Sequence, residues 1–293
     1  MIDFLKYRTA AALYSLTLIL VFAGVYFYKT AHYGQAFSYS VDFTGGTQVL
    51  FKFDKPTSVY TVKEILEKNG WTGAETREFS STEVLVRVKE FSGDVKGFAV
   101  SMLQALESNI PDIKVSILEN EAVGPAVGAT LRKDSLWAVI IALLAMLAYI
   151  AIRFWSTGFA VGAVVALAHD ALVMLAVFLL LNREISVNVI GAILVVLGYS
   201  VNDTIVIFAR IRENLKTMRG HTLHYIVNAS LNQTLRRTLL TSFATLLTVL
   251  TLFILGGQAL RDLSLVLLVG IIFGTYSSIY IASPVMMLLH NKK

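Results

Sequence analysis

Five residues stand out because each is polar or ionisable inside, or at the very start of, a stretch otherwise suited to a membrane interior: His169 and Asp170, Asn202 and Asp203, and Arg237. A carboxylate exchanges protons where a serine or asparagine does not, an imidazole titrates near neutral pH, and a guanidinium stays protonated. The chemistry open to this set is proton binding and release coupled to the making and parting of charge pairs. An Asp at the centre of a transmembrane helix costs about 2.5–3.5 kcal/mol on insertion scales, so it faces the bundle interior and serves a purpose there. A plainer role stands beside each reading. Asp203 could make a structural contact with Asn202 or a neighbouring helix. Arg237, like Arg236 before it, could reach out to lipid headgroups. His169 could be a hydrogen-bonded packing residue, and it shares a face with Asp170 only if that face is broad, since neighbours on a helix lie about 100° apart. No second His or carboxylate follows at i+3 or i+4, so no metal site is expected. The chain has no cysteine, which excludes disulfides and thiolate chemistry. No nucleotide-binding motif occurs, so any energy used must come from elsewhere, and no cofactor is expected.

The elements that must position these residues are transmembrane helices. Of the 293 residues, 56% are hydrophobic and only 15% charged, against about 25% charged in a soluble domain. Six runs qualify as spans: 10–28, 135–152, 154–182, 185–209, 238–260 and 263–291. Each reaches or approaches the ~20 residues that cross a hydrocarbon core. The first is too long for a signal-peptide core of about 7–15 residues and ends in bulky residues, so it reads as an uncleaved anchor. If six helices alternate, Lys6, Arg8, Arg153, the basic group Arg210, Arg212, Lys216, Arg219, Arg236 and Arg237, and the terminal Lys292 and Lys293 fall on one side. The short loops opposite are neutral, with Arg183-Glu184 and Arg261-Asp262. The positive-inside rule then places both termini in the cytoplasm and residues 29–134 outside, in the periplasm of a Gram-negative cell. The net charge of +5 is thus a topology signal rather than a nucleic-acid one. Asp203 lies 18 residues into its span, about 27 Å down the helix and in the cytoplasmic half, while Asp170 falls near the midplane.

The expected domains are residues 1–30 (N-terminus and first span), 31–133 (external domain) and 134–293 (the other five spans, with a cytoplasmic loop over 210–237). Tyr225, Ile226 and Leu231 in that loop suggest an interfacial amphipathic helix. The external segment patterns as a strand pair or bent strand over 38–53, interrupted at Gly45-Gly46, then a helix capped by Thr57 or Ser58. Alternating strands over 72–79 and 83–89, a helix over 95–106 and a strand over 113–118 follow. The order βαββαβ gives the fold class: a six-helix membrane bundle plus an α+β ferredoxin-like external domain. Small residues supply close packing: Gly158 and Gly162, Gly270 and Gly274, and Gly191 and Gly198 seven apart on one face, where a neighbouring helix could slide or pack statically. Gly45 and Gly46, and Gly124 with Pro125, mark hinge candidates where the external segment joins the spans.

Four stretches carry a resemblance: Val41-Asp42-Phe43-Thr44-Gly45-Gly46-Thr47, Val123-Gly124-Pro125-Ala126-Val127-Gly128, Leu197-Gly198-Tyr199-Ser200-Val201-Asn202-Asp203-Thr204 running on to Arg210-Ile211-Arg212-Glu213-Asn214, and Asn232-Gln233-Thr234-Leu235-Arg236-Arg237-Thr238. With His169-Asp170 they run in order over nearly the whole chain, and the chain resembles the SecD/SecF family of the resistance-nodulation-division (RND) superfamily. The resemblance implies a non-enzymatic, proton-motive-force-coupled accessory subunit of the Sec preprotein translocase in the inner membrane. Its implied partners are SecD, the SecYEG channel, translocating preproteins and YajC, with membrane lipid around the helices. It favours Arg237, adjoining Thr238, over Arg236 as the functional arginine. One place departs from the family pattern: Ala209 stands where an Asp often precedes the Arg-Ile-Arg-Glu-Asn run. Two rival functions are a small-molecule exporter of the same superfamily and a passive scaffold for SecD and the channel. Against the exporter, the chain has one six-helix half and one small external domain.

Overall fold

The computed structural model of the chain describes residues 1–290. In chain order, helix α1 (Arg8–Tyr33) leads to a short helix α2 (Val41–Thr44), strand β1 (Gly46–Phe53), helix α3 (Val59–Lys68), strands β2 (Glu75–Ser80) and β3 (Glu83–Val88), helix α4 (Val95–Asn109) and strand β4 (Val115–Val123). Helices α5 (Pro125–Phe154), α6 (Thr157–Leu180), α7 (Val187–Thr217), α8 (Leu223–Leu255) and α9 (Gly257–Ser277) follow. A π-helical turn (Ser278–Ala282) joins α9 to α10 (Ser283–His290). The chain divides into two units, one of residues 1–38 and 137–293 and one of residues 39–136. Among the described residues six helical stretches are long and apolar enough to cross a membrane, so this is a multi-pass membrane protein with a small sheet-bearing unit.

In the smaller unit β1 is central. It pairs antiparallel with β3 and with β4, while β2 pairs antiparallel with β3, so the order across the sheet is β2-β3-β1-β4. Alternation along the strands sends Val49, Phe51 and Phe53 of β1 and Val84, Val86 and Val88 of β3 to one face. Against them α3 packs Val62, Ile65 and Leu66, and α4 packs Ala99, Met102 and Leu106, each set spaced to face one side of its helix. The interruption at Gly45-Gly46 is neither a strand turn nor a bend within one strand. Residues 41–44 are helical, and both glycines have positive φ, +73° and +112°. A side chain on Gly45 would come within 2.8 Å of Pro125 Cα, and one on Gly46 would meet the Val88 carbonyl. Ser58 stands at the start of α3 without a side-chain cap, while Asp94 caps α4 by accepting from the Gly97 amide. Strand β4 is longer than the alternation suggested, because its pairing with β1 continues to Val123 opposite Gly46. Gly124 alone then separates the strand from α5.

In the helical unit α6, α7 and the α9–α10 stretch are half or more buried along their most apolar parts, whereas α1, α5 and α8 are largely exposed within this chain. Two elements differ from expectation. The segment holding Tyr225, Ile226 and Leu231 is not a separate interfacial helix: α8 runs unbroken through it, with Ile226 and Leu231 buried. The last span is not one regular helix. Pro284 has no amide to bond residue 280, and the ladder widens to a π turn just before it, where Ser283 Oγ donates to the Ser278 carbonyl. The basic segments gather at one end. Arg212 donates to the Arg153 carbonyl (3.2 Å), and the side chains of Asn228 and Asn232 bond the backbone of Ile2 and Phe4. The two neutral loops also meet, through Arg183 Nε on Asp262 Oδ1 at 2.6 Å.

Candidate functional site

Among the described residues, two clusters built on buried carboxylates lie inside the helical unit, both involving α7. The first is centred on Asp170 of α6, which is fully buried. Its Oδ2 accepts from Ser200 Oγ of α7 at 2.7 Å and from Ser277 Oγ of α9 at 2.8 Å, while Oδ1 lies 3.2 Å from His169 Nδ1. The neighbouring residues on α6 do share a polar environment, because the imidazole folds back on the next carboxylate. Close helix approach creates the cluster. On α9, a side chain at Gly270 would run into Val196, and one at Gly274 would stand 3.0 Å from Ser200 Cβ. Backbone contact at these two glycines seats Ser200 and Ser277 on one carboxylate oxygen. On α6, Gly158 and Gly162 do the same against the last span, facing the backbone carbonyls of Met286 and Ala282.

The second cluster is centred on Asp203, also buried, one helical turn beyond Ser200 on the same helix. It faces α8, where Thr238 and Ser242 come within reach of its carboxylate and Arg237 is the cation acting on it. Among the described residues no ion pair within 4 Å joins Asp203 to Arg237, whose side chain is exposed. Ser242 Oγ lies 2.7 Å from Thr275 Oγ1 of α9, so this cluster too spans three helices. Thr204 Oγ1 and Thr238 Oγ1 are buried with no hydrogen-bond partner, as is His169 Nε2 of the first cluster. Proton-exchanging groups and orphan hydroxyls within two helical turns of α7 can hand a proton on or trade partners if α8 moves relative to α7.

Asn202 is exposed on the outer side of α7 and belongs to neither cluster. Gly191 and Gly198 share that side, and a side chain on either would meet nothing within 4 Å. The expectation of a neighbouring helix packed on them is not met by any described helix of this chain. Ser277, Ser200, Thr238 and Ser242 were not singled out as site residues by type and spacing. Serine and threonine are common in transmembrane helices; Ser200 and Thr238 fall in stretches that carry the resemblance, but only the long-range helix contacts show what these four face.

Residues 102–292 match the family model described as the C-terminal part of the protein export membrane proteins SecD and SecF, and residues 34–57 match the SecD/SecF GG motif. The chain belongs to the SecD/SecF family. The protein translocase subunit SecF of Thermodesulfovibrio yellowstonii is 37% identical over 98% of this chain and 94% of its own length. The SecF subunit of Gemmatimonas aurantiaca is 37% identical over 99% of this chain and 87% of its own. The translocase subunit SecDF of Thermus thermophilus is 40% identical over 98% of this chain, which spans only 38% of that longer protein. The crystal structure of SecDF from Thermus, described as a translocon-associated membrane protein, superposes with a TM-score of 0.87 over 99% of the chain at 37% identity, again covering 39% of the longer molecule. A second SecDF structure, in a super-membrane-facing form, superposes less closely, at 0.70. The SecD/SecF motif glycines Gly45 and Gly46 are thus those at the positive-φ turn, and the SecD/SecF C-terminal match includes both polar clusters.

Proposed function

We propose that this member of the SecD/SecF family is an accessory subunit of the Sec preprotein translocase that acts with SecD, uses the proton-motive force, and performs no covalent catalysis. The observation that carries the coupling is Asp203: an ionisable carboxylate closed into the helical unit, facing the Thr238 and Ser242 hydroxyls of α8 and with the Arg237 charge acting on it without a fixed ion pair. Protonation of Asp203 removes its attraction to Arg237 and changes which hydroxyl lone pairs and donors it satisfies, so the two protonation states favour different α7–α8 arrangements. Asp170 and His169 of α6 form the second candidate step, meeting α7 at Ser200, one turn from Asp203.

In this reading the basic end of the helical unit is cytoplasmic, both termini lie there, and residues 31–133 form a periplasmic domain of an inner-membrane protein. The strand order β2-β3-β1-β4 with two helices on one face supports a ferredoxin-like domain. Gly45, Gly46, Gly124 and Pro125 are its proposed hinges. SecYEG, preproteins and YajC are the further proposed partners. The experiment is affinity purification of the tagged chain from native membranes, with a reporter active only in the periplasm fused in parallel at Glu75, Asn182 and after Met218. Recovery of SecD and a Sec-channel subunit, with reporter activity at the first two sites alone, is expected. An efflux phenotype without Sec subunits, or activity after Met218, contradicts the reading.

A further inference from the structure

A lateral groove of about 800 Å³ lies between α1, α6 and the last span, away from Asp203. Arg8 stands at its mouth on the side of the chain termini, and the groove runs along α1 through Ala12 to Ile19. Leu172 and Val285 line its walls, and the rim residues Leu16 and Leu288 are exposed, so it opens sideways where a membrane would lie. The Arg8 side chain is exposed and makes no hydrogen bond or ion pair among the described residues. His169, nine-tenths and more buried, lines the inner wall with its Nε2 unpartnered.

Size decides what fits. Arg8 and Ile19 are about 16 Å apart along a helix, giving the groove a mean cross-section of roughly 50 Å². A helix about 10 Å across would need roughly 80 Å². An extended hydrocarbon chain, with neighbours about 4–4.5 Å away, takes roughly 20 Å², so two chains side by side fill the space. Charge decides the rest: hydrocarbon tails gain nothing by leaving other tails for an apolar wall, whereas an unpaired guanidinium at the interface attracts a phosphate.

We propose that this groove is a binding site for one anionic diacyl phospholipid of the leaflet on the side of the chain termini, its two acyl chains between α1 and the last span and its headgroup on Arg8. Seated there, the chains cover the inner wall formed by His169 and keep water from the His169–Asp170 pair. The site stands independently of the proposed role of Asp203.

The test uses the full chain in non-ionic detergent, incubated with equal amounts of phosphatidylglycerol and phosphatidylcholine and analysed by native mass spectrometry. The wild type should retain one phosphatidylglycerol with a preference of about fivefold, the value expected for one interfacial cation. Arg8→Gln should abolish the preference, and Arg219→Gln, at the same end but outside the groove, should leave it intact. Ala12→Trp should lower retention of both lipids by filling the groove. A wild type without preference overturns the site, as does a preference that survives Arg8→Gln or is equally lost in Arg219→Gln. Undiminished retention in Ala12→Trp, with the helical circular-dichroism signal preserved, overturns it as well.

Discussion

At the residue scale, what a single position can do depends on partners that lie far away in the chain. Asp170 and Asp203 were legible because carboxylates are rare in apolar runs, and Arg237 because it begins one. Their partners were not legible: Ser200 and Ser277 reach Asp170 from 30 and 107 residues away, and nothing in a lone serine announces such a contact. Ser277→Ala removes one of two hydroxyl bonds to a buried carboxylate oxygen between transmembrane helices, so the variant should lose about 0.6–1.7 kcal/mol. Thermal unfolding in detergent reads this directly, with Ser101→Ala, an exposed serine whose hydroxyl bonds the Phe98 carbonyl of its own helix, as the neutral comparison. Arg236 and Arg237 are adjacent and both exposed, yet Arg237 is the charge acting on Asp203. Arg237→Lys keeps the charge but not the planar fork, and Arg236→Ala removes a charge with no assigned partner. Gradient-driven export should survive Arg236→Ala better than Arg237→Ala, and the lysine variant shows whether charge alone suffices.

At the element scale, long helices and alternating strands were readable because their periods are regular, and the irregular joints were not. The four-residue helix α2 hides in a segment with strand-like composition. The π turn at 278–282 is set by Pro284 acting backward along the chain. Helix α8 absorbs a stretch whose polar residues suggested a surface element, because its apolar positions find the interior of the same unit. Packing also sets how much chain the sheet-bearing unit needs: a side chain on Gly128 would lie 3.0 Å from the Gly45 amide, so the fragment for testing is 39–133, which keeps the start of α5. Within it the Glu121 carboxyl is raised above its usual range, first by burial, then by Glu119 and Asp42. A carboxyl raised in the folded state is more protonated there than in the unfolded chain. Its stabilisation is therefore full below the unfolded pKa and is lost as pH rises through the folded one. Urea unfolding of the 39–133 fragment should show Glu121→Gln gaining stability over the wild type as pH rises from about 4 to 7, with the two converging at the acid end. A difference of opposite sign contradicts this account of the β4 edge.

At the scale of the whole molecule, the helical unit holds two ionisable clusters joined by one helix, and the proposed work is to let proton flow move that helix against its neighbours. Asp203→Asn preserves size and hydrogen-bonding capacity and cannot titrate, so it separates charge exchange from packing. The deciding measurement is preprotein translocation into inverted membrane vesicles containing this variant or the wild type, at equal recovery of the Sec complex, with ATP supplied and the proton gradient either maintained or collapsed. The account predicts that Asp203→Asn keeps the ATP-driven part and loses the increment that the gradient adds. Retention of the full increment would show that Asp203 is a structural contact and that the proton passes elsewhere.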